Sequence, residues 1–85
     1  MNSFEYVIKD PIGIHARPAG MLVKEAKKYS CDLSLECSGK KADLKKIMVL
    51  MSLGVKCGNK VTVTADGENS ETVIEDLKKY FEQNL

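Results

Sequence analysis

The sequence contains no tryptophan, and it has one histidine and one arginine among its 85 residues. No run of apolar residues approaches the length of a membrane-spanning helix, which takes about 20 of them. The first residues also lack the charged and apolar regions of a secretory signal. These absences predict a cytoplasmic protein with no segment inserted directly into a membrane.

Cysteine is scarce as well, with Cys31, Cys37 and Cys57 forming no C-x-x-C pair. An odd number without paired spacing argues against a disulfide framework and against a zinc site. Cys31 and Cys37 share one parity with Leu33 and Leu35, which predicts that these thiols pack on one face of a sheet. We predict no metal ligands and no cofactor.

The charges nearly cancel, since 13 basic residues stand against 12 acidic ones and leave a formal charge of +1. A nucleic-acid-binding domain has a larger basic excess, and aromatic residues do not alternate with the basic ones here. We therefore predict no nucleic-acid partner. Residues 1–60 nevertheless hold eleven basic and six acidic side chains, whereas residues 61–85 hold two and six. The first part is suited to an acidic protein partner.

Hydrophobic periodicity predicts a single domain over residues 1–85, without repeats or linkers. Alternating patterns predict strands at 4–8, 32–37, 40–43 and 60–65. Helical spacing predicts helices at 15–29, 44–53 and 70–83, with Gly54 ending the second and Ser70 capping the third. The order βαββαβα predicts an α+β fold, an open-faced β-sandwich in which three helices cover one face of a four-stranded, mainly antiparallel sheet.

The most informative segment is residues 13–19, in which His15 precedes Arg17 by two positions. A neutral imidazole is a nucleophile near neutral pH, and a guanidinium has a planar set of donors that suits a phosphoryl group. Pro18 and the apolar residues after it predict the opening of a helix, whose N-terminal amides favour anions. Gly13 permits a close approach of the backbone ahead of the histidine.

If that helix begins at Ala16, His15 is its N-cap and Nδ1 of the ring lies over the free amides. A phosphoryl group on Nδ1 would then meet those amides and the positive end of the helix dipole. The alternative is that His15 only caps a helix and that Arg17 is a solvated charge. A lone histidine and arginine favour that alternative, whereas the compact run with Gly13 and Pro18 favours a phosphoryl site.

The run from Gly13 to Ala19, with residues 22–26 and 44–54, resembles the HPr family of histidine-containing phosphocarriers in the bacterial phosphotransferase system for sugars. The resemblance spans essentially the whole chain. It implies a carrier rather than an independent enzyme: enzyme I, charged by phosphoenolpyruvate, would phosphorylate Nδ1 of His15, which would pass the group to sugar-specific IIA proteins. It further implies that Arg17 stabilises the phosphoryl oxygens and that Ala16 and Pro18 complete the site.

The second predicted helix has more apolar side chains than a short helix can bury, so we expect about half of residues 47–51 to be exposed for docking. The predicted docking residues on this helix are Ile47, Met48, Val49, Met51 and Ser52. The first helix would add Gly20, Met21, Lys24 and Lys27, with the lysines facing acidic partners. The resemblance implies one surface for both enzyme I and IIA proteins, and we expect the carrier to be a monomer.

Two residues depart from the family pattern. Many relatives have a regulatory serine at the position of Lys46, and a lysine cannot accept that phosphate. We therefore predict that the family's serine kinase does not control this site. Ile12 replaces a small polar residue that relatives often have beside the histidine. Two other functions stay open: a paralogous carrier in a nitrogen-related or regulatory phosphotransfer chain, and a binding domain that uses His15 as a pH-sensitive contact.

Overall fold

The computed structural model describes residues 2–14 and 16–85. Seven elements occur within those residues, in the order that the periodicity predicts. The strands are β1 (Asn2–Val7), β2 (Asp32–Cys37), β3 (Lys40–Asp43) and β4 (Lys60–Asp66). The helices are α1 (Ala16–Ala26), α2 (Ile47–Ser52) and α3 (Ser70–Asn84).

The strands form one sheet in the order β1-β4-β2-β3, and each neighbouring pair is antiparallel. Val63 of β4 lies at its centre, opposite Phe4 of β1 on one side and Leu35 of β2 on the other. The predicted open-faced sandwich is confirmed, and the sheet is antiparallel throughout the described residues rather than mainly so.

One face of the sheet carries the core. Leu22, Leu50 and Leu77, one from each helix, are fully buried in the same apolar cluster as the inward side chains of the strands. Full burial of a leucine stabilises the fold by about 1.5–3 kcal/mol. Phe81 of α3 packs edge-on against Phe4, with the ring centres 5.4 Å apart. The three helices therefore cover one face, as predicted.

The cysteines divide between core and surface. Cys31 and Cys37 are buried with Leu33 and Leu35, which confirms the prediction from parity. Cys57 is exposed in the loop before β4, and its Sγ lies 3.8 Å from the carbonyl oxygen of Lys9. Because Cys57 lies outside the strands, the alternation of buried residues along a strand does not apply to it.

Two predicted helices are too long. The chain leaves α1 after Ala26, because the amide of Tyr29 donates to the Ala26 carbonyl at 3.2 Å in a turn rather than continuing the helix. Leu44 lies before α2, since its amide donates to the Leu33 carbonyl of β2 at 3.1 Å. Long-range hydrogen bonding to the sheet thus replaces the helical turn that periodicity predicts for residues 44–46.

The predicted cap of the third helix is wrong. Asn69 is the N-cap of α3, in a left-handed conformation with φ 60°, and its side chain makes no capping hydrogen bond. Ser70 is the first helical residue and is buried. Its hydroxyl accepts a hydrogen bond from Nδ2 of Asn2 at 2.8 Å, so this serine joins α3 to β1.

Candidate functional site

Residues 8–14, called here the approach segment, join β1 to the beginning of α1 and are anchored from two sides. The amides of Lys9 and Asp10 both donate to the carbonyl oxygen of Leu85, at 2.7 and 2.8 Å. The amide of Ile14 donates to the carbonyl oxygen of Val55 at 3.0 Å. Contacts from distant parts of the chain therefore hold the segment that precedes His15 in the sequence.

A tight turn within the approach segment adds local order. Oδ1 of Asp10 accepts a hydrogen bond from the Ile12 amide at 3.0 Å, and the Asp10 carbonyl accepts one from the Gly13 amide at 3.0 Å. A side-chain oxygen that bonds the amide two residues on stabilises such a turn. Ile12 itself is 68% exposed, so the turn presents an apolar side chain to solvent.

Gly13 occupies a position that no other residue fits without distortion. Its φ is +78°, a left-handed value, and a Cβ added there would lie 2.4 Å from the Val55 oxygen and 2.7 Å from Cα of Lys56. Both neighbouring atoms belong to the backbone, so no side chain can turn away. The close approach expected of Gly13 is therefore present, and its partner is the loop between α2 and β4.

His15 lies outside the described residues. Helix α1 begins immediately after it at Ala16, and Ala16 and Arg17 are exposed while Pro18 is half-buried. No acidic side chain stands in the first turn of α1, so its free amides and the helix dipole favour an external anion. Pro18 lacks an N–H at a position where the helix leaves one unpaired.

Arg17 borders a shallow recess of about 350 Å³ between α1, the approach segment and α3. The other lining residues are Asp10, Ile12, Pro18, Met21, Tyr80, Asn84 and Leu85. No carboxylate forms an ion pair with Arg17 among residues 2–14 and 16–85. Burial, followed by the charge of Glu25, raises the pKa of the Tyr80 phenol above its ordinary value.

Tyr80 and Asn84 are site neighbours that the sequence pattern did not reveal. Both lie near the end of α3, far along the chain from Arg17, and nothing in their spacing distinguishes them from other residues of an amphipathic helix. Asp10 follows the first predicted strand, and its position in the sequence did not indicate that it shares a recess with Arg17.

Helix α2 presents an apolar surface. Met48 is 77% exposed, and Ile47, Val49 and Met51 are also exposed, whereas Leu50 is fully buried. The expectation that about half of these side chains are exposed is therefore too low, because a helix of six residues lying on the core buries only one of its five apolar side chains. The exposed hydroxyl of Ser52 donates to the Val49 carbonyl at 2.6 Å.

Helix α1 continues this surface, because α1 and α2 pack against each other. A Cβ added to Gly20 would lie 3.6 Å from Cδ1 of Ile47, so this half-buried glycine lies at the junction. Met21 is 51% exposed and Lys24 is exposed on the same helix. Lys27 is exposed too, but it lies one residue beyond the end of α1 rather than on the helix as predicted. The apolar surface is defined from here on as Met21, Ile47, Met48, Val49 and Met51.

Lys46 lies at the start of α2, as the sequence predicts. It is the N-cap, with extended backbone angles of φ −123° and ψ 106°, and its exposed side chain makes no capping bond. The neighbouring Lys45 has a structural role that the sequence did not predict. Its Nζ donates to the carbonyls of Tyr29 and Cys31 at 2.7 and 2.9 Å, which ties the connection between α1 and β2 to the connection between β3 and α2.

Comparison with known proteins agrees with this geometry. A family model described as "PTS HPr component phosphorylation site" matches residues 2–83. The chain belongs to the HPr family. The phosphocarrier protein HPr of Mycoplasma genitalium is 44% identical over 85 residues, which cover 99% of this chain and 97% of that protein. HPr of Mycoplasma capricolum is 38% identical, covering 93% of this chain and 89% of that protein.

Solved HPr structures share the fold. HPr-C-His from Thermoanaerobacter tengcongensis superposes with a TM-score of 0.92 at 39% identity, covering 99% of this chain and 94% of that one. Membership of the HPr family supports a phosphocarrier role in the phosphotransferase system. Among the described residues, no helix is both long and apolar enough to cross a membrane.

Proposed function

We propose that this HPr-family chain accepts a phosphoryl group from phosphorylated enzyme I on Nδ1 of His15 and donates it to sugar-specific IIA proteins. The observation that carries the proposal is the structure of the residues on either side of the histidine in the sequence. Gly13 and Ile14, directly before it, are held against the Val55 carbonyl. Directly after it, α1 begins with free amides and an exposed arginine.

In the transfer, the lone pair on Nδ1 of His15 attacks phosphorus on the phosphohistidine of enzyme I. A new N–P bond forms as the donor N–P bond breaks, and the donor imidazole keeps the electron pair. The amides at the start of α1 and the Arg17 guanidinium stabilise the phosphoryl oxygens. Ala16 leaves that side open because its side chain is small, and Pro18 begins the helix without needing a hydrogen-bond partner.

The exposure of the site suits a carrier. Ala16 and Arg17 are open to solvent, and a site that excludes water needs more enclosing structure than this turn supplies. A docked partner would supply orientation and charge stabilisation only when transfer is required. The apolar surface, with Lys24 and Lys27 beside it, supports docking by partners with an apolar centre and an acidic rim.

The test is to incubate the purified chain with enzyme I and phosphoenolpyruvate and to measure its intact mass. We expect a gain of one phosphoryl group that is lost in mild acid and stable in base, as a phosphohistidine requires. Adding a IIA protein should then return the chain to its original mass. A chain that gains no phosphoryl group under conditions that charge another HPr would contradict the proposal.

Arg17→Ala is expected to leave phosphoryl acceptance possible but to slow transfer by about a hundredfold to a thousandfold, the range expected when a preorganised donor to a developing charge is removed. Arg17→Lys should retain part of the rate, because it keeps the charge and loses the planar set of donors. Rapid-quench measurement of transfer to a IIA protein checks both variants. Unchanged kinetics in Arg17→Ala would remove this residue from the mechanism.

Met48→Glu is expected to raise KM for enzyme I by about tenfold, since the side chain is the most exposed of the apolar surface and a central contact is often worth more than 1 kcal/mol. Val7→Glu is the matched control, because Val7 is an exposed apolar residue of β1, outside the docking helices. Steady-state kinetics of phosphoryl transfer measures the two. Equal KM values for both variants would contradict docking through Met48.

A further inference from the structure

We infer that Asn59 is a positioning residue for phosphoryl transfer, acting through the approach segment; the inference rests on the proposed function. Asn59 lies in the loop that joins α2 to β4, far from His15 in the sequence. It does not border the Arg17 recess and is not part of the apolar surface. Its effect would pass through hydrogen bonds that connect this loop to the residues before His15.

A turn that begins at Lys56 is closed by Asn59. Its side-chain Oδ1 accepts a hydrogen bond from the Lys56 amide at 2.9 Å, and its own amide donates to the Lys56 carbonyl at 3.0 Å. The side chain and the backbone of Asn59 thus provide hydrogen-bond partners for both the amide and the carbonyl of Lys56. Gly58, with φ +89°, allows the chain to reverse between the two residues.

This turn contacts the approach segment at Ile8. The Ile8 amide donates to the Asn59 carbonyl at 3.0 Å, and the Gly58 amide donates to the Ile8 carbonyl at 2.8 Å. At the other end of the segment, the Ile14 amide donates to the Val55 carbonyl at 3.0 Å. The loop from Val55 to Asn59 therefore holds both ends of the segment, at residues 8 and 14.

The Val55 carbonyl fits tightly against Gly13. This oxygen is the nearest atom to the point that a Cβ on Gly13 would occupy, and Cα of Lys56 is the next nearest. Because the Lys56 amide belongs to the same peptide unit as the Val55 carbonyl, the hydrogen bond from this amide to Asn59 Oδ1 sets the tilt of that unit. The tilt in turn directs the hydrogen bond to Ile14, the residue before His15.

Loss of Oδ1 is therefore expected to loosen the orientation of the histidine rather than the docking surface. A misplacement of about 1 Å by a residue remote from the chemistry can slow a reaction about a hundredfold. The apolar surface belongs to α1 and α2, which Asn59 does not contact through any hydrogen bond in residues 2–14 and 16–85. The effect should thus appear in kcat for phosphoryl transfer, with KM for enzyme I nearly unchanged.

The test compares Asn59→Ala with Asn59→Asp, which keeps an oxygen acceptor in place of Oδ1. We expect Asn59→Ala to lower kcat for transfer from enzyme I by about tenfold to a hundredfold and Asn59→Asp to restore most of that loss. Amide hydrogen exchange at Ile14 should be faster in the alanine variant than in the aspartate variant. Thermal unfolding identifies one temperature at which all the variants are folded, and their kinetics are compared there.

A folded Asn59→Ala variant with wild-type kcat would overturn the inference, and so would a loss confined to KM. Equal loss of kcat in the two variants would overturn the part assigned to the oxygen acceptor. If Asn59→Ala does not fold, Asn59→Leu, which has a similar shape but no oxygen acceptor, takes its place with the same expectations. Should the wild-type chain accept no phosphoryl group, the proposed function fails by itself, whereas exchange at Ile14 still measures the connection between Asn59 and the approach segment.

Discussion

Replacing His15 with alanine is expected to abolish phosphorylation by enzyme I and phosphoenolpyruvate. Alanine has no nitrogen lone pair to attack phosphorus, and this is the only histidine of the chain. We expect the rate of phosphoryl gain to fall by more than about 10³-fold, as it does when a nucleophile is removed from other covalent mechanisms. Intact mass after incubation with enzyme I measures the loss, and an amide NMR spectrum confirms that the variant is folded.

Cys57→Ala is the matched control for this change. Cys57 is an exposed nucleophile whose thiol lies beside Lys9 of the approach segment, so it is the side chain to test for an alternative acceptor. We expect this variant to gain the phosphoryl group at the wild-type rate. An acid-labile phosphoryl group on His15→Ala, or its loss from Cys57→Ala, would show that the phosphoryl acceptor has been assigned to the wrong residue.

Gly13→Ala is expected to lower the free energy of unfolding by about 2–4 kcal/mol, in the upper range for single substitutions. A left-handed conformation costs a residue with a Cβ about 1–2 kcal/mol. The new Cβ would also meet the Val55 oxygen at 2.4 Å, and that backbone can yield only if the hydrogen bond to Ile14 shifts. Because small domains are stable by only about 5–15 kcal/mol, urea unfolding resolves this loss readily.

Gly39→Ala separates the two causes. Gly39 has nearly the same φ, +79°, but nothing lies within 4 Å of an added Cβ, so its variant should show the conformational cost alone. The difference between the two variants then measures the close approach at Val55. Phosphoryl transfer should slow in Gly13→Ala and not in Gly39→Ala. Equal destabilisation of both proteins would contradict the tight contact between Gly13 and the loop.

The elements of this fold follow from local patterns because side-chain periodicity reflects which face is buried. Alternation at Leu33 and Leu35 predicts β2, and both residues are buried. The prediction is wrong where a long-range hydrogen bond competes with local preference. Leu44 bonds to the sheet instead of opening α2, and Ser70 bonds to Asn2 instead of capping α3.

The candidate site divides in the same way. Residues that act through neighbours in the chain, such as Arg17 and Pro18, can be proposed from the motif, since one turn of helix carries them. The sequence predicted that apolar side chains of α2 are exposed, but it underestimated how many of them are. The covered fraction of a short helix depends on which other elements pack over it. Met48 is exposed for that tertiary reason.

By itself, the sequence determined the order of elements, the buried parity of the strands and the family to which the motif points. Each of these depends on spacing within one element or on residues adjacent in the chain. Only the tertiary structure decided that β1 pairs with β4, that Leu85 and Val55 anchor the approach segment, and that Asn59 accepts a hydrogen bond from it. These contacts join residues distant in the chain, and folding around one core brings them together.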